Sequence, residues 1–288
     1  MKTTVRAAAK INLFLDVTGR LDNSYHTLFS VMQSVGIYDE ISVEITDSKK
    51  IELSCTEKSI PCNEKNTAYK AAASFFETVG IENPGVKIEI SKNIPFCAGL
   101  AGGSADAAGV IRALDKIFET NADDFLLIDI AKKVGSDVMF CLFGGTKLIQ
   151  NMGDVITPLP ALADCVILLA KPASGVSTKG AYESYDKAPY IYRPDSVKFL
   201  DAAARSDFEG ICHNAGNVFE QVVEVFERVD IRSAMLRHGA LLSQMSGSGP
   251  TVFGIFKDEK AAKECAADLE KLCKDVFVTR PVNSGVEF

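Results

Sequence analysis

The sequence predicts an α+β fold. Two observations carry this: short runs of alternating apolar and polar residues that read as antiparallel strands, and helices that come in groups rather than one after each strand. A doubly wound parallel sheet would alternate strand and helix throughout.

In chain order, residues 3–18 read as extended. Asp39–Ile45 (DEISVEI) alternates like a half-buried strand, and Ile51–Cys55 reads as its hairpin partner. Asn66–Thr78 carries Ala and Phe at helical spacing, with the polar run Asn63–Lys65 ahead of it. Val86–Ile90 alternates again. The segment Ile94–Gly103 then runs into a helix, opened by Ser104, whose apolar stripe is Ala107, Val110, Ile111, Leu114, Ile117 and Phe118. Phe125–Val134 reads as a second helix, followed by the turn Gly135-Ser136-Asp137. Pro158 and Pro160 mark a boundary between two domains, 1–160 and 161–288, in keeping with about 150 residues per domain. Beyond it the sequence predicts a strand at 165–170 and helices near 177–185, 195–205, 214–228 and 230–238. Strands at 240–246 and 251–256 flank a Gly-rich turn, and a helix at 258–273 leads to a strand at 275–280.

Composition narrows the function. Hydrophobic residues at 47% and charged residues at 24% match ordinary globular proteins and exclude disordered, collagenous and disulfide-scaffold classes. The net charge of −7 disfavours nucleic-acid binding, which rests on Lys and Arg neutralising phosphates. Apolar runs such as Cys165–Ala170 are too short to span a bilayer, and Ile11–Leu15, bracketed by Lys10 and Asp16, is too short for the core of a leader. The expected protein is cytoplasmic, with no membrane partner, and monomer and homodimer both remain open. The eight cysteines form no C-x-x-C pair, and with only His26, His213 and His238 they assemble no zinc spacing. No metal site is predicted from them, and they read as small buried hydrophobes.

The informative stretch is PFCAGLAGGSA, that is Pro95-Phe96-Cys97-Ala98-Gly99-Leu100-Ala101-Gly102-Gly103-Ser104-Ala105. Glycines let the backbone approach a ligand and adopt positive φ, so that successive N–H groups converge on phosphate oxygens at a helix N-terminus. It lacks the Lys-Ser/Thr pair of a Walker A loop and the spacing of a dinucleotide fingerprint. A nucleophile elbow fails because Asp106 stands where its second glycine belongs. From spacing alone the segment reads equally as an anion site or as a tight turn packing a helix on a sheet.

The segment resembles the ATP-binding motif P-x-x-x-G-L-x-x-S-S-A of the GHMP kinases, the galactose, homoserine, mevalonate and phosphomevalonate kinase superfamily. Ala7–Asn12 (AAAKIN) and Met245–Phe253 (MSGSGPTVF) are similar to its two other motifs, in the family's order. AKINLFLDVTGRLDNSYHTLFSVMQSVGIYDEI and GSDVMF further resemble the branch that phosphorylates a hydroxyl of a 4-diphosphocytidyl methylerythritol in non-mevalonate isoprenoid precursor biosynthesis. Ser24 stands where that branch usually has Gly, and Met139 where it has Pro; neither change removes a chemical group.

The resemblance implies a two-lobed GHMP-kinase-like fold with the active site in the cleft, an ATP-binding lobe over 1–160 and a substrate-side lobe over 161–288. It implies Lys10 and Asp137 as the catalytic pair. Asp137 would take the hydroxyl proton, and Lys10 would keep it ionised, as an opposite charge within about 4–6 Å does. Read without the resemblance, Asp137 is a helix N-cap or Asx-turn. Pro95 to Ala105 would surround ATP, with Ser104 a ligand of phosphate or Mg²⁺, and Asn66 and Lys92 would lie at the adenine end. Mg²⁺ would be bound mainly through the nucleotide's phosphates. Tyr25 and His26 would hold the cytosine of a substrate with a cytidyl diphosphate group, Tyr182 would close the stack, and Asn12, Thr178 and Gly247 would contact its polar groups. Two other readings stand beside this one: a kinase of the same superfamily with a smaller acceptor, and a catalytically silent regulator on the same fold.

Overall fold

The computed structural model describes residues 1–22 and 25–288; Asn23 and Ser24, the latter one of the two departures from the family pattern, lie outside the described residues. The chain opens with two long strands, β1 (Lys2–Arg20) and β2 (His26–Ile45), then β3 (Ile51–Cys55), α1 (Thr67–Val79) and β4 (Val86–Ser91). Three helices follow, α2 (Gly102–Phe118), α3 (Asp124–Val134) and α4 (Val138–Phe143), and then β5 (Thr146–Asn151) and β6 (Val155–Pro158). Next come β7 (Val166–Lys171), α5 (Thr178–Lys187), α6 (Ser196–Ala204), α7 (Phe208–Asn214) and β8 (Gly216–Asn217), with a 3₁₀ turn over Val218–Gln221. The remainder is α8 (Arg228–Arg237), β9 (Leu242–Met245), β10 (Val252–Phe256), α9 (Glu259–Leu269), β11 (Asp275–Thr279) and β12 (Val286–Glu287).

Among the described residues these strands form two sheets. An eight-stranded sheet has the order β12-β1-β2-β4-β3, with β8 beside β1 and β5 and β6 branching from β2. A four-stranded sheet has the order β11-β7-β10-β9. The first sheet packs against α2 and α1, whose Phe75, Phe76 and Phe118 meet edge-on or tilted, and α3 packs on α1. The second packs against α8 and α9 through Val166, Leu168, Ile231, Met235, Phe256 and Leu269. A third, smaller core joins Leu15 and Val17 of β1, Ala181 of α5, Phe219 and Met245. It ties the two sheets together beneath the cleft.

The α+β class is as expected, and three local readings are corrected. Ile51–Cys55 does not pair with Asp39–Ile45: β3 runs parallel to β4, and β4 takes the edge of β2. Alternation sets which face a strand buries, not which strand it joins. Residues 214–228 are not one helix but β8 and the 3₁₀ turn. Asn217 Nδ2 donates to the Met245 and Gly247 carbonyls at 2.8 Å, and Glu220 accepts from Met245 N at 2.9 Å, so tertiary hydrogen bonds override local propensity. Ser104 does not open α2: the helix begins at Gly102, and Ala101 precedes it in the left-handed region with φ 58°. The first part of β2 carries no legible alternation because Ser30, Gln33 and Ser34 are as buried as Val31 and Val35.

Candidate active site

Lys10 lies on β1 among Ala9 and Ile11, and its side chain is almost entirely withdrawn from solvent. A buried ammonium is costly unless its donors are matched. Here Nζ donates to Asn12 Oδ1 at 2.7 Å and to the Gly99 carbonyl at 3.3 Å, and it lies 3.6 Å from Asp137 Oδ2. Asn12 in turn donates Nδ2 to Ser30 Oγ at 2.8 Å, so its amide orients the lysine. Asp137 is the N-cap of α4, as its place after Gly135-Ser136 implies, yet its side chain makes no cap hydrogen bond. Its carboxylate is therefore left to Lys10.

The glycine-rich loop closes one wall. Cys97, Gly99 and Ala101 all have positive φ, at 52°, 75° and 58°, a rolled backbone of the kind that turns N–H groups toward an anion. A Cβ on Gly99 would collide with the Ser246 carbonyl, so this loop and the turn after β9 are packed backbone to backbone. Lys10 N donates to the Leu100 carbonyl at 3.1 Å, and Ser246 Oγ donates to the Gly99 carbonyl at 2.9 Å. All three sequence motifs thus meet at this loop.

Between them lies a cavity of about 380 Å³ walled by Lys10, Asn12, Lys92, Pro95 to Gly99, Ala101 to Gly103, Asp137, Thr178, Tyr182 and Gly247. Leu100 and Ala105 are buried in the core and do not line it, and Ser104 sits in the first turn of α2 away from the cavity wall. Asn66 caps α1, accepting from Ala68 N and donating to the Pro61 carbonyl, and lines neither this cavity nor its neighbour. Thr178, at the start of α5, is 3.1 Å from Ser248 Oγ.

A neighbouring cavity of about 810 Å³ shares Leu28, Ser136 and Tyr182 with the first and is lined by Tyr25, His26 and Met139. Its rim is charged, with Arg20, Lys132, Lys133, Lys179, Glu183 and Asp186. His26 stacks on Tyr182 with ring centres 4.7 Å apart, and its Nε2 is 2.7 Å from Asp186 Oδ1. The i, i+4 spacing of Tyr182 and Asp186 on α5 lets one turn of helix hold both the face and the edge of the imidazole. Burial first, and then the Asp137 charge, pushes the Tyr182 phenol up to about 12.

Sequence reasoning missed four contributors. Asp186 fixes His26, Ser246 bridges to the loop, and Asp39 and Asp106 both bind Lys92. Asp106 carried a signal, since a carboxylate inside an alanine-rich helical stripe is rarely there for packing. Among the described residues no group of three or more His, Cys, Asp or Glu side chains is placed to hold a metal ion.

Residues 66–145 match the GHMP kinases N terminal domain, and residues 199–275 match the GHMP kinases C terminal domain. A Clostridium beijerinckii protein named 4-diphosphocytidyl-2-C-methyl-D-erythritol kinase is 41% identical over 280 residues, 96% of this chain and 99% of that one. The chain belongs to the GHMP kinase family. As a GHMP kinase it is a small-molecule kinase that uses ATP. Two solved structures show where the fold sits in the family. That of a 4-(cytidine 5'-diphospho)-2C-methyl-D-erythritol kinase has a TM-score of 0.79 at 29% identity, covering 98% of this chain and 99% of that one. A homoserine kinase from Cytophaga hutchinsonii has a TM-score of 0.81 at 21% identity, covering 99% and 96%, and shares the fold. Among the described residues no helix is long and apolar enough to cross a membrane.

Proposed function

We propose that this GHMP kinase transfers the γ-phosphoryl group of ATP to a hydroxyl of 4-diphosphocytidyl-2-C-methyl-D-erythritol, a step of non-mevalonate isoprenoid precursor biosynthesis. The observation that carries the chemistry is the Lys10–Asp137 pair, 3.6 Å apart in a cavity walled by the glycine-rich loop.

Asp137 accepts the proton of the substrate hydroxyl as its oxygen attacks the γ-phosphorus and the bond to the bridging oxygen of ADP breaks. Lys10 keeps Asp137 ionised and aimed, and its positive charge meets the charge spread over the transferring group. The loop's N–H groups and the first turn of α2 hold the nucleotide phosphates. Asp137 is the carboxylate lining this cavity, a donor set that fits an ion held mainly by phosphate. Mg²⁺ so bound neutralises negative charge on the nucleotide.

The cytidyl group occupies the larger cavity, with Tyr25, His26 and Tyr182 as its aromatic wall. Asn12, Thr178 and Gly247, which line the first cavity, contact the substrate's polar groups there. We read residues 1–160 as the ATP-binding lobe and 161–288 as the substrate-side lobe of a cytoplasmic enzyme, a monomer or homodimer that needs neither nucleic acid nor membrane.

The test is ATP-dependent ADP release with 4-diphosphocytidyl-2-C-methyl-D-erythritol beside homoserine, mevalonate and galactose. Turnover confined to the cytidyl substrate and abolished by Asp137→Asn supports both the substrate and the base. Turnover with another alcohol alone would refute the substrate and reduce Tyr25 and His26 to framework.

A further inference from the structure

Lys92 leaves β4 and leads into the phosphate loop, and its ammonium is enclosed by two carboxylates. Nζ donates to Asp39 of β2 and, at 2.7 Å, to Asp106 Oδ2 of α2; all three side chains are almost wholly buried. Asp39 also accepts from Asn93 N at 2.7 Å and Ile94 N at 2.8 Å, so the two peptide units after Lys92 are pinned to the same carboxylate. On the other side, a Cβ on Gly102 would lie 3.1 Å from Lys92 Nζ. The ammonium therefore rests against the first residue of α2, and Lys92, Gly102 and Gly103 all line the catalytic cavity.

The charge count of this cluster is uneven. Two ionised carboxylates around one ammonium would leave a buried negative charge beside the place where a polyphosphate binds. The hydrogen bonds tell the two acids apart. Asp39 accepts from three donors, the pattern of a carboxylate, whereas Asp106 accepts from Lys92 alone and its Oδ1 is buried without a partner.

We propose that Asp106 is a positioning residue for nucleotide binding, a buried side chain that with Asp39 fixes the Lys92 ammonium under the first turn of α2. This rests on reading the glycine-rich loop as the ATP site. Burial pushes the Asp106 carboxyl up to about 8; Lys92 opposes that rise and the Asp39 charge adds to it. The other titratable groups acting here are the Cys141 thiol of α4 and the Cys55 thiol of β3, both held neutral by burial. Lys92 stays charged, because the two acids outweigh its own burial.

The experiment is the ATP KM and kcat of the whole enzyme at pH 7, with nucleotide binding followed in parallel by calorimetry. Asp106→Ala should raise the ATP KM by about tenfold or more while kcat changes far less, since it strips Lys92 of a buried partner. Asp106→Asn, able to accept from Lys92, should recover most of that affinity. An Asn variant as impaired as the Ala variant, or a fall in kcat as large as the rise in KM, would overturn the proposal. If neither variant folds, Lys92→Met decides: a weakened ATP affinity supports the proposal and an unchanged one refutes it. Wild-type protein that binds no nucleotide at pH 7 would overturn the ATP-site reading as well, so the two failures are distinguishable.

Discussion

Lys10 and Asp137 meet in the wall of the cavity beside the glycine-rich loop, ammonium 3.6 Å from carboxylate, one delivered by the first strand and the other by the cap of a six-residue helix. Asp137 does not use its side chain to cap that helix. Asp137→Asn should therefore lower kcat by about 10²–10⁴, the usual worth of a positioned base, with little change in melting temperature. Steady-state kinetics and a thermal melt on the same sample check this; a large drop in stability would mean the carboxylate is structural.

Gly99 is constrained twice, by its φ of 75° and by the Ser246 carbonyl against its Cα hydrogens. Gly99→Ala should cost about 1 kcal/mol from the left-handed backbone alone, and more from the forced separation of the two turns. Urea unfolding measures the stability loss, and ATP binding should weaken with it.

Five of the eight cysteines are buried, Cys55 is partly covered, and Cys62 and Cys97 are exposed. Native protein should expose two fast-reacting thiols to a soluble disulfide reagent. Cys97 lines the catalytic cavity and Cys62 does not, so saturating ATP should protect one thiol and leave the other. Identifying the protected residue by mass spectrometry tests where the phosphates lie.

Asp186 and Tyr182 hold His26 by edge and face. Tyr182→Ala should raise the KM for the cytidyl substrate by about 5- to 150-fold, the span of 1–3 kcal/mol for a base-stacking aromatic, with ATP KM within about twofold. Asp186→Ala should move in the same direction by a smaller factor, because it frees the imidazole without removing the ring. Equal effects on both substrates would show that α5 supports the whole cleft and not the nucleobase end.

Asp106 also links stability to pH. Its carboxyl is held up to about 8 in the folded chain, against an ordinary value of 3.8. The native state thus binds a proton that the unfolded chain has released, and stability from this group declines as pH rises from about 4 to about 8. Asp106→Asn should flatten that decline in urea midpoints taken at pH 5, 6.5 and 8.

Much of this was legible in the residues. The stripe Ala107 to Phe118 and the strand predicted at 165–170, observed at Val166–Lys171, could be read because each follows a local pattern, whereas the three motifs were read by resemblance to a family. The partner of Ile51–Cys55 could not, because strand pairing depends on what lies across space. The 214–228 segment misled for the same reason: Asn217 and Glu220 are ordinary helix-surface residues until strand β9 is present, where the Met245 carbonyl accepts from Asn217 and the Met245 N–H donates to Glu220. At the site, Lys10 and Asp137 were found through resemblance to a family. The acids around Lys92 belong to no short motif and emerged only when β2, β4 and α2 were brought together.

The Gly99 carbonyl oxygen, which receives Lys10 Nζ from the first strand and Ser246 Oγ from the turn after β9, makes the proposed catalytic centre a joint between distant parts of the chain. A chain severed in the 158–163 connection would leave Lys10, Asp137 and the loop on one fragment and the closing serine on the other. Each fragment alone would be inert, and activity on mixing would scale with the product of their concentrations. That behaviour suits a two-part reporter, in which phosphoryl transfer registers the meeting of whatever is fused to each half.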